Sequence, residues 1–398
     1  MRIAMLCIHS SPLGQAGSKD TGGMSTYLRG LSSALGRRGH RVDLFTRMAN
    51  SGKEEVRQMG PNVRLICPGD GLGELDKHSL YPHCPTVAES IDQFSRREKG
   101  GYDYIFSHYW LSGVTGRILK ERWKIPHLLM FHTLGRAKNE TCPGENEPYL
   151  RLQTEAELAL ECDLVVAAAK QEKERLVEYF NLSPEKVALI PCGIDRDLFY
   201  PFDSRKRRDA KLKVGVRPEG KIVLAVGRVE PVKGFDTFIK AASLLPFEDN
   251  FELIIVGGDD KSSALIAALK EKTLELGLNR RVRFTGVVEH SLLPVYYNAA
   301  DVTVLPSYYE SFGLTALESV ACGTPVAASP VGILPELIGQ NHRFGILLKE
   351  RAPAAWAAAI RRAYTAMDPI SKAALATGLA PYSWPEAAAS LESTLSSL

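Results

Sequence analysis

The chain has 398 residues, 45% of them hydrophobic and 24% charged, a length that suits two domains better than a single core. Its formal net charge of +3 is too small to argue for nucleic acid as a partner, and no apolar run approaches the roughly 18 residues of a membrane-spanning helix. The seven cysteines are odd in number and form no C-x-x-C pair, which predicts a reduced, cytoplasmic protein with buried thiols rather than a disulfide framework or a zinc site.

Apolar runs alternate with longer amphipathic stretches from the first residues onward. The gaps between the runs have helical periodicity; apolar residues three to four apart from Met24 to Leu35 predict a helix that ends before Gly39. Strands that alternate with helices indicate a parallel sheet covered on both faces. In the first half, the runs predict buried strands at 2–8, 41–45, 63–67, 102–106, 127–131, 164–169 and 187–191.

The second half repeats this alternation after a polar, basic segment, 201–220, which we interpret as a linker. The predicted domains are therefore 1–200 and 221–380, and segment 381–398 predicts a terminal helix that packs back on the first domain. The fold class is α/β, with two Rossmann-like, doubly wound parallel-sheet domains facing a cleft, where ligands bind at the carboxyl ends of the strands. Strands of the second half are predicted at 221–226, 252–257, 282–286, 302–306, 325–329 and 344–348.

Several predicted strands of the first half are followed by glycine or polar residues at the edge that borders the cleft. Gly22 and Gly23 begin the first helix, where backbone N–H groups can meet an anion, although a plain glycine cap is the alternative. The preceding loop lacks a G-x-G-x-x-G fingerprint, which argues against a dinucleotide site. The segment 108–110 (His-Tyr-Trp) and the pair His132 and Thr133 follow two further strands, so both are expected on the cleft.

Two cations follow the first strand of the second half. Arg228 and Lys233 lie five residues apart on the strand-to-helix loop Gly227–Phe235. An arginine offers a planar bidentate donor and a lysine a mobile point charge, so together they can hold a diphosphate. The alternative is a pair of solvated surface cations.

Two glutamates with seven residues between them lie near the end of the second half, in PSYYESFGLTALESVACGTPV. Glu310 is on the loop after a strand, and Glu318 is on the helix from about Gly313 to Cys322, beside its apolar stripe. A buried carboxylate needs hydrogen-bond donors, which ribose or sugar hydroxyls can supply. The alternative is a structural ion pair.

These stretches together resemble a known family. In chain order, GGMSTY, HYWLSG, FHT, IPCGID, VGRVEPVKGFD and ESFGLTALESVACGTPV are similar to motifs of the retaining family 4 glycosyltransferases, which have the GT-B fold. The resemblance covers nearly the whole chain, and the E-x7-E element with its upstream Arg and Lys is the most specific part. Within the family, the chain looks most like the inositol-phosphate N-acetylglucosaminyltransferases of mycothiol synthesis and, after them, the sucrose-phosphate synthases.

The resemblance implies roles for the matching donor-side residues. Arg228 and Lys233 would hold the diphosphate of a UDP-sugar and stabilise the leaving group, a task that a metal ion performs in other transferases. Glu318 would accept hydrogen bonds from the ribose, Glu310 would contact hydroxyls of the donor sugar, and His132 would lie against that sugar. We expect the catalytic residues to be Arg228, Lys233, Glu310 and His132. Further donor contacts are expected from Gly22, Gly23, Val288, Phe312, Gly313 and Leu314.

The resemblance also implies an acceptor site, on more local matches. In the inositol-phosphate enzymes a Lys, a Tyr, a Thr and an Arg hold the acceptor phosphate, and the corresponding positions here are Lys77, Tyr109, Thr133 and Arg151. Charge-assisted hydrogen bonds from such a set suit a phosphate dianion. The chain departs from those enzymes at Ser25, where they usually have Asn after GGM, so inositol phosphate itself stays open as the acceptor.

The predicted function is a retaining transfer of glucose or N-acetylglucosamine from a UDP-sugar to a small phosphorylated acceptor such as inositol phosphate. The alternatives are fructose 6-phosphate, as in sucrose-phosphate synthases, a glycan or lipid acceptor, or epimerisation of the nucleotide sugar without an acceptor. No cofactor is expected to be required beyond the UDP-sugar co-substrate, Mg²⁺ is not expected to be essential, and no metal site is predicted. The sequence leaves a homodimer open.

Overall fold

The computed structural model describes residues 1–13, 22–47, 54–69, 71–72, 75, 79–98, 100–246, 250–339, 342–366 and 370–398. Lys77, one of the residues predicted to bind the acceptor, lies outside these ranges, as does most of the loop before Gly22. Among the described residues, no helix combines the length and the apolar character that crossing a bilayer requires.

The first half of the described chain forms one mixed sheet of eight strands. Their order is β3-β4-β2-β1-β5-β6-β7-β8, and every pair is parallel except β3 with β4. The strands are β1 Arg2–Cys7, β2 Arg41–Thr46, β3 Glu54–Gly60, β4 Val63–Pro68, β5 Tyr104–His108, β6 His127–Met130, β7 Leu164–Ala167 and β8 Val187–Leu189.

The second half forms a fully parallel sheet of six described strands in the order β11-β10-β9-β12-β13-β14. The order reverses between β9 and β12, so the loops after these strands diverge and open a crevice at the carboxyl edge. The strands are β9 Lys221–Val226, β10 Phe251–Val256, β11 Val282–Gly286, β12 Val302–Leu305, β13 Val326–Ala328 and β14 Gly345–Leu347.

Helices cover both sheets, as nearly continuous apolar strands require. In the first half they are α1 Gly23–Arg37, α2 Cys84–Arg97, α3 Trp110–Trp123, α4 Gly135–Thr141, α5 Tyr149–Glu161 and α6 Lys170–Phe180. From there to the end they are α7 Ser204–Lys213, α8 Phe235–Ala242, α9 Ser263–Glu275, α10 Leu293–Ala299, α11 Leu314–Ala321, α12 Leu334–Gly339, α13 Pro353–Ala366, α14 Lys372–Gly378 and α15 Trp384–Leu395.

Each strand predicted from an apolar run is present within two residues of its expected ends, but β3 was not predicted. Its sequence, EEVRQMG, has only two apolar side chains besides glycine, and none of its residues is fully buried. As an antiparallel strand at the sheet edge it pairs on one side with β4 and needs no apolar run. The backbone ladder, rather than side-chain burial, holds it in place.

The segment between the two sheets is ordered. Helix α7 packs against α10 of the second half, and Lys211 forms an ion pair with Asp301, with Nζ and Oδ2 3.0 Å apart. Segment 201–220 therefore packs with the second half of the chain, although it contains no strand.

The last helix lies against the first half of the chain. Helix α15 packs on α1, where a Cβ on Gly30 would come within 2.1 Å of Trp384. Arg38 Nε donates to Glu392 Oε1 at 2.7 Å, and the Tyr104 hydroxyl donates to the carbonyl of Leu395 at 2.9 Å. The chain thus crosses back from the second sheet and packs on the first.

One apolar cluster spans the whole molecule and two smaller ones lie under the outer helices. The spanning cluster joins residues of β1 and α1 to residues of β9 and α11 and to the terminal Trp384. Both halves therefore pack on a shared core while leaving their carboxyl strand edges facing each other. All seven cysteines are free and buried, as predicted.

Candidate active site

A cavity of about 280 Å³ lies between the carboxyl edges of the two sheets. Residues after β1, β5 and β6 form its first-half wall, and residues after β9, β11 and β12 form its second-half wall. Most of the residues singled out from the sequence line it: Gly22, Gly23, Tyr109, His132, Thr133, Arg151, Arg228, Lys233, Val288, Glu310, Phe312, Gly313, Leu314 and Glu318.

Ser25 is the described candidate that does not reach the cavity wall. Its side chain is fully buried on the core face of α1, and its hydroxyl donates to the carbonyl of Ser11 at 3.4 Å. The sequence placed Ser25 at the acceptor because it follows GGM, but the third residue of this helix turns toward the sheet. Ser25 therefore does not line the cavity in this structure.

The two cations that are predicted to bind a diphosphate are each paired with a carboxylate. Arg228 Nη1 lies 2.6 Å from Glu230 Oε1, and Lys233 Nζ lies 2.7 Å from Glu310 Oε1. All four side chains are 14–29% exposed at the cavity. These cations are therefore oriented inside the cleft by their partners. They are not the pair of solvated surface cations that the sequence left open as an alternative.

The N-terminus of α1 approaches the second half across the cavity. A Cβ on Gly22 would lie 3.3 Å from Arg228 Nε, and one on Gly23 would lie 3.1 Å from Leu314 Cδ1. The first turn of α1 contains no acidic residue, and none of the side chains that the structure describes caps it. Its N–H groups therefore face the same space as the Arg228 guanidinium, a combination that favours an anion.

Glu318 has partners within the protein. Its Oε2 accepts from the Tyr297 hydroxyl at 2.8 Å, and its Oε1 lies 3.0 Å from Nε2 of His290. The side chain is 7% exposed, and contacts within the protein already supply it with hydrogen-bond partners, in line with the structural alternative considered from the sequence. Each carboxylate oxygen has a second lone pair, and Glu318 lines the cavity, so it can still accept from a ligand hydroxyl.

His132 is paired with a buried histidine. Its Nε2 lies 2.9 Å from Nδ1 of His108, which is fully buried at the end of β5. Burial lowers the pKa of His132 to about 3, and burial together with the neighbouring ring lowers the pKa of His108 well below its usual value. Both rings are therefore neutral at neutral pH, and His132 can take part in hydrogen bonds at the cavity without carrying a charge.

Two non-glycine residues at the first-half wall have left-handed backbones. Tyr109 has φ 78° and His132 has φ 59°, a region that costs free energy for side chains with a Cβ. Tyr109 follows directly on β5 and His132 follows β6 after one intervening residue, so the backbone turns sharply at both strand ends and presents the side chains to the cavity. Such geometry is concentrated at functional sites.

Arg151 is held in a buried network behind Tyr109 and Thr133. Its Nη2 donates to the Thr133 hydroxyl at 3.0 Å, and its guanidinium lies 5.0 Å from the centre of the Tyr109 ring. Burial opposes its charge, but Glu155, Tyr109 and Glu147 outweigh burial and raise its pKa above the usual value. Arg151 is therefore a permanent cation at the cavity wall.

Several further residues line the cavity that sequence reasoning did not select as site residues. Glu147 and Glu230 pair with predicted cations, Lys138 pairs with Glu147, and His290 contacts Glu318. His290 follows β11 in the same way as Val288, so its position after a strand was a usable signal. Glu230, four residues after β9, carried the same signal, whereas Glu147 lies in the loop between α4 and α5, away from any strand end.

A metal centre is not evident in the part of the chain that the structure describes. No group of three or more His, Cys, Asp or Glu side chains there is arranged to hold a metal ion. Positive charge in the cleft comes from side chains and helix N-termini.

The chain is similar to known proteins over its full length. The family model for Glycosyltransferase Family 4 matches residues 21–198, and that for Glycosyl transferases group 1 matches residues 206–373. A D-inositol 3-phosphate glycosyltransferase of Xylanimonas cellulosilytica is 35% identical over 401 residues, covering 98% of this chain and 95% of that protein.

Solved structures agree with these matches. The sucrose-phosphate synthase of Thermosynechococcus elongatus is 31% identical, with a TM-score of 0.90 over 100% of this chain and 98% of that one. Anabaena HepE, solved in complex with UDP-glucose, is 20% identical with a TM-score of 0.77 over 100% of both chains. At that identity the second likeness concerns the fold alone.

Proposed function

The chain belongs to glycosyltransferase family 4 and has the GT-B fold, and from this premise we propose that it transfers glucose or N-acetylglucosamine from a UDP-sugar to a small phosphorylated acceptor. Inositol phosphate is the acceptor that we favour, and the anomeric configuration is retained. The finding that carries the proposal is that cations of both halves, Arg228, Lys233 and Arg151, line one cavity.

On the donor side, the second-half wall offers a group for each part of a nucleotide sugar. Arg228 and Lys233 bind the diphosphate, together with N–H groups of the first turns of α1 and α11. Glu318 accepts from the ribose hydroxyls. Glu310 and the segment 312–314 contact the sugar hydroxyls, and Val288 lies where the base enters.

In the transfer step, the bond between the anomeric carbon and the diphosphate oxygen breaks. The acceptor hydroxyl forms a new bond to that carbon on the same face, and its proton passes to the leaving diphosphate. The charge on the leaving group grows as the bond breaks, so the cations Arg228 and Lys233 stabilise the transition state more than the ground state. The neutral His132 contacts the donor sugar and does not supply the proton.

On the acceptor side, Tyr109, Thr133 and Arg151 form a compact polar corner of the first-half wall. Support for a phosphorylated acceptor comes from the names of two similar proteins, a D-inositol 3-phosphate glycosyltransferase and a sucrose-phosphate synthase. We propose that Lys77 completes this set. Fructose 6-phosphate is the second candidate, because the sucrose-phosphate synthase covers the whole chain at a TM-score of 0.90.

The proposal extends to the location, the cofactor requirement and the oligomeric state of the enzyme. We propose that the enzyme acts in the cytoplasm, which the seven free thiols support. We also propose that it requires no cofactor and that Mg²⁺ is not essential, since side-chain cations lie where a metal would otherwise neutralise the diphosphate. Self-association as a homodimer is a further prediction for sedimentation analysis.

The experiment that tests the proposal is release of the nucleoside diphosphate. UDP-glucose, UDP-N-acetylglucosamine and GDP-mannose are each combined with inositol 3-phosphate, fructose 6-phosphate, unphosphorylated inositol or no acceptor. We expect release that depends on a UDP-sugar together with one phosphorylated acceptor, and a product whose anomeric proton matches the donor by NMR. Release with the unphosphorylated acceptor alone would contradict the proposed acceptor class.

A further inference from the structure

A carboxylate of the protein lies among the cations of the acceptor corner, the polar corner of the first-half wall that contains Tyr109, Thr133 and Arg151. Glu147 Oε2 lies 2.9 Å from Nη1 of Arg151, and Glu147 Oε1 forms an ion pair with Nζ of Lys138. The side chains of these three residues are 4–18% exposed, and all three line the cavity. An anion with two oxygens thus bridges two cations, which is the arrangement that a phosphate group would adopt there.

The net charge around this corner disfavours the binding of a second anion. The cations Lys138 and Arg151 are matched by Glu145, Glu147 and Glu155, so the five charges sum to −1. A phosphate dianion that entered this corner with every pair intact would meet a net negative charge. Removing the Glu147 carboxylate from the pair changes the local sum to zero and frees Nη1 of Arg151, while Lys138 loses one of its two carboxylate contacts and keeps Glu145.

Arg151 does not depend on Glu147 for its position. Its Nε donates to Glu155 Oε1 at 2.7 Å, and its Nη2 donates to the carbonyl and the hydroxyl of Thr133 at 2.8 and 3.0 Å. These contacts fix the guanidinium plane from behind, while Glu147 occupies only Nη1. Glu147 can therefore leave without loosening the cation that it binds.

We propose that Glu147 is a specificity residue that occupies the acceptor's anion position in the unliganded enzyme, and that an acceptor phosphate must displace it from Arg151 and Lys138. This inference rests on the proposed function, since it assumes that the acceptor enters this corner. Because each phosphorylated acceptor must break two ion pairs while a neutral polyol need not, Glu147 lowers the preference for phosphorylated over unphosphorylated acceptors. The charge of this one side chain thus tunes the choice of acceptor.

The test compares Glu147→Gln with a matched control, Glu145→Gln. Glu145 lies 3.0 Å from Lys138 and is 19% exposed, so the control removes the same charge from the same lysine without touching Arg151. Binding of inorganic phosphate is measured by calorimetry, and KM is measured for inositol 3-phosphate and for inositol. UDP binding serves as the measure of an intact donor side.

Glu147→Gln is expected to bind phosphate, and to use inositol 3-phosphate, with about three- to tenfold higher affinity, the range for loss of one partly buried competing charge. Glu145→Gln and UDP binding are expected to change less than about twofold. Equal or weaker phosphate binding by Glu147→Gln would overturn the inference, because Glu147 would then support the anion site and not fill it.

A second variant and a separate readout keep the outcomes distinct. Glu147→Asp keeps the charge on a side chain one methylene shorter, so a smaller gain in phosphate affinity is expected, and no gain in either correctly folded variant counts against displacement. Absence of nucleoside diphosphate release with every donor and acceptor would overturn the proposed function. A tighter phosphate site in Glu147→Gln would still stand in that case, because calorimetry does not depend on turnover.

Discussion

The two walls of the cleft hold their cations in different ways. On the second-half wall, Arg228 and Lys233 each pair with one carboxylate and are 29% and 18% exposed. On the first-half wall, Arg151 is 4% exposed and is shared between two carboxylates. Of the neighbouring histidines, His108 is buried and both are neutral there, and two residues have left-handed backbones.

Because of this difference, removing a cation from the second-half wall should affect activity but not stability, whereas removing Arg151 from the first-half wall should affect both. A cation at the mouth of a cavity can be removed while its single partner turns to solvent. A buried cation leaves its partner charged, desolvated and unpaired when it is removed. On the second-half wall, here called the donor wall, Arg228 and Lys233 are therefore expected to tolerate substitution without unfolding. On the first-half wall, here called the acceptor wall, Arg151 is not.

The largest effect is expected from Arg151→Ala. Glu155, which is 1% exposed, would keep only the N–H of Gly135 as a donor, so the free energy of unfolding should fall by about 3–5 kcal/mol. Urea unfolding followed by circular dichroism measures the loss. Arg136→Ala, at an exposed pair with Glu140, is the control and should change stability by less than about 1 kcal/mol.

The double variant Arg151→Met, Glu155→Met sharpens this prediction. Since both charges leave together, most of the lost stability should return while acceptor binding stays weak. A double variant as unstable as Arg151→Ala would indicate that the buried pair is not the reason for the difference between the walls.

On the donor wall, Lys233→Ala should lower kcat/KM about 100- to 1000-fold, which is typical for the loss of one group that stabilises transition-state charge. Glu318→Ala should also remove most of the activity, because the ribose hydroxyls lose their acceptor. Urea unfolding of Lys233→Ala should change by less than about 1 kcal/mol. Lys240→Ala, which removes an exposed lysine paired with Asp236, should retain activity. Near-normal turnover by Lys233→Ala would contradict the role of Lys233 in stabilising the leaving group.

A smaller effect is expected from pH, and it should originate in the first half. Burial lowers the pKa of His127 from 6.5 to about 3. Between these values the unfolded chain binds a proton that the folded chain does not, so stability should fall as the pH is lowered from 6.5 toward 3. His127→Gln, which can keep a hydrogen bond to Ser107, should lose less of its melting temperature between pH 6.5 and 4.5 than the unaltered chain. An identical pH dependence would exclude His127 as a cause.

The smallest effect is expected from removal of divalent metal ions. Because Arg228 and Lys233 already neutralise the diphosphate, EDTA should lower kcat by less than about twofold, far below the effect of Lys233→Ala. Titration with Mg²⁺ after chelation is the control. A loss of 100-fold that Mg²⁺ restores would contradict the assignment of this task to the side chains.

Much of the donor wall could be predicted from the sequence because its residues are close together in the chain. Arg228 and Lys233 lie on one loop after β9, and Glu310 and Glu318 lie on either side of one helix start after β12. The end of a buried parallel strand has a recognisable sequence, and every such end reaches the same edge of the sheet. The α/β prediction and the glycosyltransferase class were confirmed, while the roles of the individual residues stay predictions.

The partners of these residues could not be predicted in the same way. Glu318 meets His290 and Tyr297, and Arg151 meets Thr133 across a turn of chain. The i,i+4 spacing of Glu155 from Arg151 is visible in the sequence, but the pairing of Lys233 with Glu310 depends on how loops pack, and a local pattern contains no information on that. Ser25 shows the same limit, because its neighbours Gly22 and Gly23 face the cavity while it faces the core.

By itself, the sequence determined the alternation of strands and helices, the positions of the strand ends and the types of residue that follow them, since these depend on local periodicity and burial. Only the tertiary structure decided that Glu147 lies between Lys138 and Arg151, that His108 supports His132 and that β3 joins the sheet edge. Those contacts depend on how loops, turns and sheet edges pack in three dimensions, which the local periodicity of the sequence does not specify.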